Sequence, residues 1–303
     1  MSVRGSTGSE QPCKERGCRY RALTAADFCW YHLNDRTAYL KQLADQIARE
    51  ADLKGANLSR IFCDNILFAG ARLAGADLSG SRFLACDWRE ADLAGAKLSG
   101  CVFHKSDFSR LQGSGANFEA AVAAECNFEF AQLADSVLAR ADLRGSRFTG
   151  ASLFRARLDF AILENADFSA ADLSFGVLGG AKARGALFDD ADLSRSNLVG
   201  ADLEGASLKQ ANLYYARLGR ARLCGAVLTR ARLERAVLRE ADLTRADLTE
   251  AVSRKAICER ALLIGAEASG AVLTAASVEL HGADLRDAIF SAEIAAEKPA
   301  RKL

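Results

Sequence analysis

From Ala51 to Leu280 the chain repeats a five-residue unit, Ala-(Asp/Asn/Arg)-Leu-x-x, without a break in register. Leu or Phe holds the third position in 37 of the 46 units, and Ala holds the first in 34. A period this short rules out the two common ways of burying an apolar face. Five residues of α-helix advance the face by about 140°, so leucines at that spacing would scatter round the helix. A flat strand alternates sides with period two, so an odd repeat would flip each leucine to the opposite face. The remaining option is a chain that turns once per unit, with Ala and Leu inward and the polar positions at corners. That predicts an all-β solenoid, whose units bury their apolar faces only by stacking on one another.

The number of units per coil is legible within the sequence. Sorted by every fourth unit, the central positions give one column reading Phe68, Trp88, Phe108, Phe128, Phe148, Phe168 and Phe188. The other columns are mostly Leu, with Phe83, Phe103 and Phe118 scattered among them. A ladder of like rings at a 20-residue period implies a four-sided coil.

Runs such as Ala191-Asp192-Leu193-Ser194-Arg195, Ala201-Asp202-Leu203-Glu204-Gly205 and Ala241-Asp242-Leu243-Thr244-Arg245 resemble the pentapeptide-repeat family, over about three quarters of the chain. The resemblance implies a right-handed quadrilateral β-helix, here of about 12 coils and roughly 55 Å at 4.8 Å per coil. It names a fold and leaves function to the surface.

Two places depart from the pattern. At Leu111-Gln112-Gly113-Ser114-Gly115 the inward residue is Gly113, and ten residues on it is Ala123, which predicts a thin core and a bend or looser coil. After Leu280, His281-Gly282 read as two extra residues, with the repeat resuming at Ala283. The expected organisation is a disordered start at 1–12, a metal-binding knuckle at 13–33, a capping helix at 34–50, the repeat at 51–280, a terminal coil at 281–296 and a disordered tail at 297–303.

The knuckle rests on Cys13, Cys18, Cys29 and His32, spaced C-x4-C-x10-C-x2-H. Three soft thiolates and one imidazole suit a closed tetrahedral Zn²⁺ site, which is structural rather than catalytic. The alternative is a chance cluster of buried thiols. Asn34 or Asp35 supplies an N-cap for the helix, with Tyr39, Leu40, Leu43 and Ile47 as its apolar stripe. The six other cysteines fall in the repeat, five of them inward, where they act as small apolar residues. Unpaired thiols, no signal peptide and no apolar run long enough to span a membrane predict a cytoplasmic protein.

No catalytic constellation is present. Only His32, His104 and His281 exist, and the many Asp residues recur because the repeat recurs. An enzyme is not expected. Net charge is +1, so global charge names no partner. Locally, the aromatic-ladder wall carries ten outward acids against five bases, while residues 211–260 hold 11 bases against six acids. Outward aromatics are the better signal: Phe154, Phe175, Tyr214 and Tyr215 fall on one wall and are the candidate partner surface. Phe160 and Phe130 lie on other walls. Apolar outward residues Val252, Ile257, Leu262, Ile264 and Val272 raise self-association through the C-terminal coils as a homodimer.

Three functions compete. A non-enzymatic protein-binding scaffold leads. The resemblance implies a second, since some members of the family mimic DNA and shield DNA gyrase from inhibitors; such a mimic needs continuous negative potential. The third is nucleic-acid binding through the basic residues around the knuckle.

Overall fold

The computed structural model describes residues 11–271, 281, 284–286 and the backbone of 289–290. The expected tail at 297–303 and most of the expected disordered start lie outside them, as does Val272. The chain forms two compact units, residues 1–147 and 148–303.

Within each unit the bridging residues pair in parallel with the residue 20 positions on, as in Asp52 with Arg72 and Asp192 with Asn212. Four five-residue units therefore make one coil, the stride that the aromatic column predicts. The unit Ala191–Arg195 shows why the motif has its composition. The Ala191 N–H donates to Phe188 O at 3.1 Å, closing a turn. The Asp192 N–H bonds back to Ala171 O, while those of Leu193 and Arg195 bond forward to Asn212 O and Tyr214 O. The fourth N–H, of Ser194, has no coil to reach, and the Asp192 carboxylate accepts it at 2.8 Å. All five donors are satisfied. Asp or Asn at the second position is thus a turn device, repeated at Asp77, Asp107, Asn127 and Asp167.

The turn sets the fifth position. From Glu50 to Gly270 every fifth residue has a positive φ, between 49° and 69°. This is the left-handed residue that a type II turn requires, and it explains why Gly concentrates there. At Gly180 a second constraint applies: a Cβ would lie 2.7 Å from the Phe160 ring, which crosses it from the preceding coil.

In residues 1–147 three units lengthen into strands. These are β1 (Phe62–Asp64), β2 (Arg82–Leu84) and β3 (Val102–His104), a parallel sheet in register Cys63–Phe83–Phe103. Serines in the first position open the neighbouring turns: Ile61 N donates to Ser81 Oγ, which donates in turn to Leu58 O. The core holds stacked rings, with Phe68 on Trp88 at 4.0 Å and Phe108 on Phe128 at 4.7 Å. Phe83 and Phe103 meet Trp88 and Phe108 edge-on at 4.9 and 5.0 Å. In residues 148–303 Phe148 stacks on Phe168 and Phe168 on Phe188.

The core at Gly113 is not thin. Leu111 occupies a position normally held by Ala, and its Cδ2 would lie 3.1 Å from a Cβ at Gly113, with Leu133 Cδ2 at 2.9 Å. Side-chain volume has moved from the third position to the first, and the bridges and turns run through this coil unchanged.

Near the C-terminal end, β4 (Glu267–Ala268) pairs with β5 (Ile289–Phe290), a stride of 22 residues instead of 20. The slip does not fall at His281-Gly282. Glu250 N still bonds Ser269 O, 19 residues on, whereas Arg260 N bonds His281 O, 21 residues on. The stride therefore changes by two residues between these two bonds.

At the other end, the amino-terminal hairpin starts earlier than expected, since Pro12 pairs antiparallel with Arg21. A 3-10 turn follows at Trp30–His32, then α1 at Arg36–Ala48. Asp35 is the N-cap, accepting from Ala38 N at 2.8 Å. Tyr39, Leu43 and Ile47 are buried, and Leu40 is half-buried. No helix among the described residues is long and apolar enough to cross a membrane.

Candidate functional site

The ligand atoms of Cys13, Cys18, Cys29 and His32 all lie within 4.8 Å of one another. The hairpin brings Cys13 and Cys18 together: Cys13 N bonds Tyr20 O, and Gly17 takes φ 81° in the turn before Cys18. The 3-10 turn supplies Cys29 and His32, with His32 N on Cys29 O. Cys18 Sγ is 3.8 Å from Cys29 Sγ, and His32 Nδ1 is 3.4 Å from both Cys13 Sγ and Cys29 Sγ. Zinc bonded at 2.3 Å to sulfur and 2.0–2.1 Å to nitrogen sets tetrahedral edges of about 3.8 Å (S to S) and about 3.5 Å (S to N). The three distances match those edges, so the group can hold a tetrahedral metal ion.

Cys13 and Cys29 are buried, while Cys18 and His32 are half-buried. Burial pushes the Cys13 thiol up, but backbone donors at Cys29 and Glu15, with the His32 side chain, bring it down to about 6. The Tyr20 N–H also points at Cys18 Sγ, at 3.4 Å. Backbone donors therefore move Cys13 toward the thiolate, the metal-binding form, whereas burial pushes the Cys29 thiol up. In the repeat, burial pushes Cys101, Cys126 and Cys258 up to about 12, which makes them inert packing groups.

Sequence reasoning missed how this cluster is anchored. Thr24 N bonds Asn57 O, Asn57 N returns to Thr24 Oγ1 at 2.7 Å, and Asn57 Nδ2 donates to Ala22 O at 2.6 Å. Trp30 meets Phe62 edge-on at 6.0 Å, and the Arg60 guanidinium sits 4.6 Å over the Tyr20 ring. Asn57 and Arg60 stand at ordinary repeat positions and carried no signal of their own. The basic residues near the knuckle are partly spoken for, as Lys14 pairs with Asp27 at 2.8 Å.

The second candidate surface is the wall of outward aromatics. Phe154 and Phe175 meet edge-on at 5.7 Å, as do Tyr214 and Tyr215 at 4.6 Å. Phe175 and Tyr215 are exposed, while Phe154 and Tyr214 are half-buried. The structure adds arginines between the rings. Arg195 lies 5.5 Å from the centroids of both Phe175 and Tyr215, Arg235 lies 5.2 Å from Tyr215 and bonds its hydroxyl, and Arg155 lies 5.0 Å from Phe154. Sequence reasoning missed these arginines, although a 20-residue stride puts Arg155, Phe175, Arg195, Tyr215 and Arg235 in one column.

The other charged stretches are largely neutralised coil to coil. Arg220 pairs with Glu240, Arg230 with Glu250, Arg239 with Glu259, and Arg222 with Asp202 and Glu204. On the acidic wall Asp87 is held by Arg89 at 2.6 Å and Glu129 by Arg147 at 3.0 Å, which interrupts the negative face there. Val252, Ile257 and Ile264 are half-buried, and Leu262 is exposed.

A model of the pentapeptide repeats matches residues 49–83, 85–110, 114–150, 151–190, 186–223, 216–252 and 256–291. The chain belongs to the pentapeptide-repeat family. Among solved structures, this pentapeptide-repeat protein is similar to HetL of the cyanobacterium Nostoc sp. strain PCC 7120, involved in heterocyst differentiation regulation. That match is 28% identical over 85% of this chain and 94% of HetL, with a TM-score of 0.34. It is also similar to QnrB1, a plasmid-mediated fluoroquinolone resistance protein, at 19% identity over 79% of this chain and 93% of QnrB1, TM-score 0.28. Rfr23 of the cyanobacterium Cyanothece 51142 is 21% identical over 50% of this chain and 99% of its own, TM-score 0.28. No curated protein matches the chain.

Proposed function

We propose that this pentapeptide-repeat protein is a non-enzymatic scaffold that binds another protein through the wall bearing Phe154, Phe175, Tyr214 and Tyr215. The observation that carries this reading is the pair of exposed rings, Phe175 and Tyr215, with Arg195 between them. Aromatic and Arg side chains dominate the energetics of protein interfaces, and these are held by one another before any partner arrives. Burial holds the Cys101, Cys126 and Cys258 thiols protonated, and the contacts of Cys13 and Cys29 with His32 belong to the cluster read below as structural. The test is capture from extract of the source cell with wild-type protein and a Phe175→Ser/Tyr215→Ser variant of unchanged melting temperature. Recovery of the same proteins by both sinks the reading.

The Cys13, Cys18, Cys29 and His32 group is read as a structural Zn²⁺ site. Its support is the match of three measured edges to a tetrahedron. All four positions would be filled by protein, leaving none for a substrate. With zinc bound, the hairpin and α1 would hold Thr24 and Trp30 against Asn57 and Phe62 and so cover the first coil, whose open edge would otherwise be free to pair with another chain. Metal analysis of the purified chain tests this, with stoichiometric zinc expected and its absence from both wild type and Cys29→Ser contradicting it.

A further inference from the structure

We propose that the column Arg155, Phe175, Arg195, Tyr215, Arg235 is a docking track for an acidic protein segment in the polyproline II conformation, with a carboxylate at every third residue. This rests on the protein-binding reading of the wall and adds the chemistry of the partner.

Spacing is the first argument. Rings stacked one coil apart, such as Phe148 and Phe168, are 4.7 Å between centroids. Arginines in the track recur every second coil, roughly 9.4 Å apart. A polyproline II helix rises about 3.1 Å per residue with three residues per turn, so one face repeats every ~9.3 Å. A β-strand presents the same face every ~6.7 Å and falls out of step after one rung.

Charge is the second. Arg195 and Arg235 belong to no ion pair found among the described residues, unlike Arg220, Arg222, Arg230 and Arg239 on the neighbouring positions. One flanking column, Arg157, Val177, Asn197, Arg217 and Val237, contains no acid. Arg195 and Arg235 thus give the track two cations that suit a carboxylate-bearing partner, with Asp172, Asp192 and Glu234 in the columns on its other flank.

Preorganisation is the third. The Tyr215 ring has Arg195 at 5.5 Å and Arg235 at 5.2 Å. Stacked guanidiniums lose less freedom when they bind, and their N–H edges suit bidentate contact with carboxylates. The same stacking weighs against single-stranded nucleic acid, which needs ring faces free for its bases.

The experiment is fluorescence anisotropy with the full chain and a labelled nine-residue peptide repeating Glu-Pro-Pro. Comparators are the Gln-Pro-Pro peptide, a peptide repeating Glu-Pro, and an oligothymidylate. Glu-Pro-Pro is expected to bind tightest, and Arg195→Gln and Arg235→Gln each to weaken it about tenfold. Arg220→Gln, off the track and paired with Glu240, is expected to change nothing. Melting temperatures confirm that each variant is folded. Failure of Glu-Pro-Pro to bind, equal binding of Gln-Pro-Pro or Glu-Pro, insensitivity to both track variants, or tighter binding of oligothymidylate overturns the proposal. If the Phe175→Ser/Tyr215→Ser variant loses a captured protein while Glu-Pro-Pro fails, only this inference falls and the scaffold reading stands.

Discussion

Leu111 fills the space that Gly113 vacates. Its Cδ2 sits 3.1 Å from where a Gly113 Cβ would be, and both residues are on the same wall, two positions apart. The two are therefore coupled, and their substitutions should not add. Gly113→Leu alone overpacks the coil and is expected to cost about 1–3 kcal/mol. Leu111→Ala alone leaves a cavity, at about 2–5 kcal/mol. The double variant restores the common Ala-x-Leu pattern and should recover most of the loss. Chemical denaturation of all four proteins measures the coupling, and simple additivity would contradict this packing.

The left-handed fifth position makes a prediction with an unusual sign. Glycine inside ordinary strands destabilises, but Gln210 has φ 58° and an exposed side chain. Gln210→Gly should therefore be neutral or stabilising by up to about 1 kcal/mol. Gly180→Val should be strongly destabilising, because φ is 64° and the Phe160 ring occupies the Cβ site. A lower melting temperature for Gln210→Gly would count against turn strain as the origin of glycine at this position.

Acid should loosen residues 1–147 through two local pairs. The side-chain bonds from Arg89 and Arg144 hold the carboxyls of Asp87 and Asp142 below the usual carboxylate range. A depressed folded-state value means that stability is fully present above the unfolded value, about 3.9, and is lost as pH falls through the folded one. An Arg89→Met/Arg144→Met variant should therefore show a flatter dependence of melting temperature on pH below about 4. A curve parallel to wild type would show that the pairs contribute nothing.

Metal removal should act on the amino-terminal hairpin first. Chelation, or Cys29→Ser, is expected to release the contacts of Thr24 with Asn57 and of Trp30 with Phe62. Hydrogen exchange should then rise at residues 11–33 and in the first coil, while the coils beyond Phe148 keep their protection. Unchanged exchange at Asn57 after chelation would mean that the hairpin holds its place without metal.

The repeat was legible because its physics is local and reiterated: one Asp192 explains every Asp in the second position. The metal ligands were legible because Cys and His are scarce here and closely spaced. What stayed hidden was compensation between residues that the pattern treats as independent. Gly113 alone predicts a thin core, and only the position of the Leu111 side chain reverses that. Arg195 looked like one surface charge among many until its distances to Phe175 and Tyr215 were known. The two added residues were placed at His281 because the motif resumes after it, but the bond from Arg260 N to His281 O already has the changed stride.

The 20-residue stride also governs how such a surface can change. Inserting one five-residue unit would keep every leucine inward yet move each downstream residue to the next wall, so Tyr215 would no longer follow Arg195. Inserting four units would leave all columns intact and lengthen the Arg155–Arg235 track by one rung. For the core the heritable module is the pentapeptide, but for anything that reads the outside it is the whole coil.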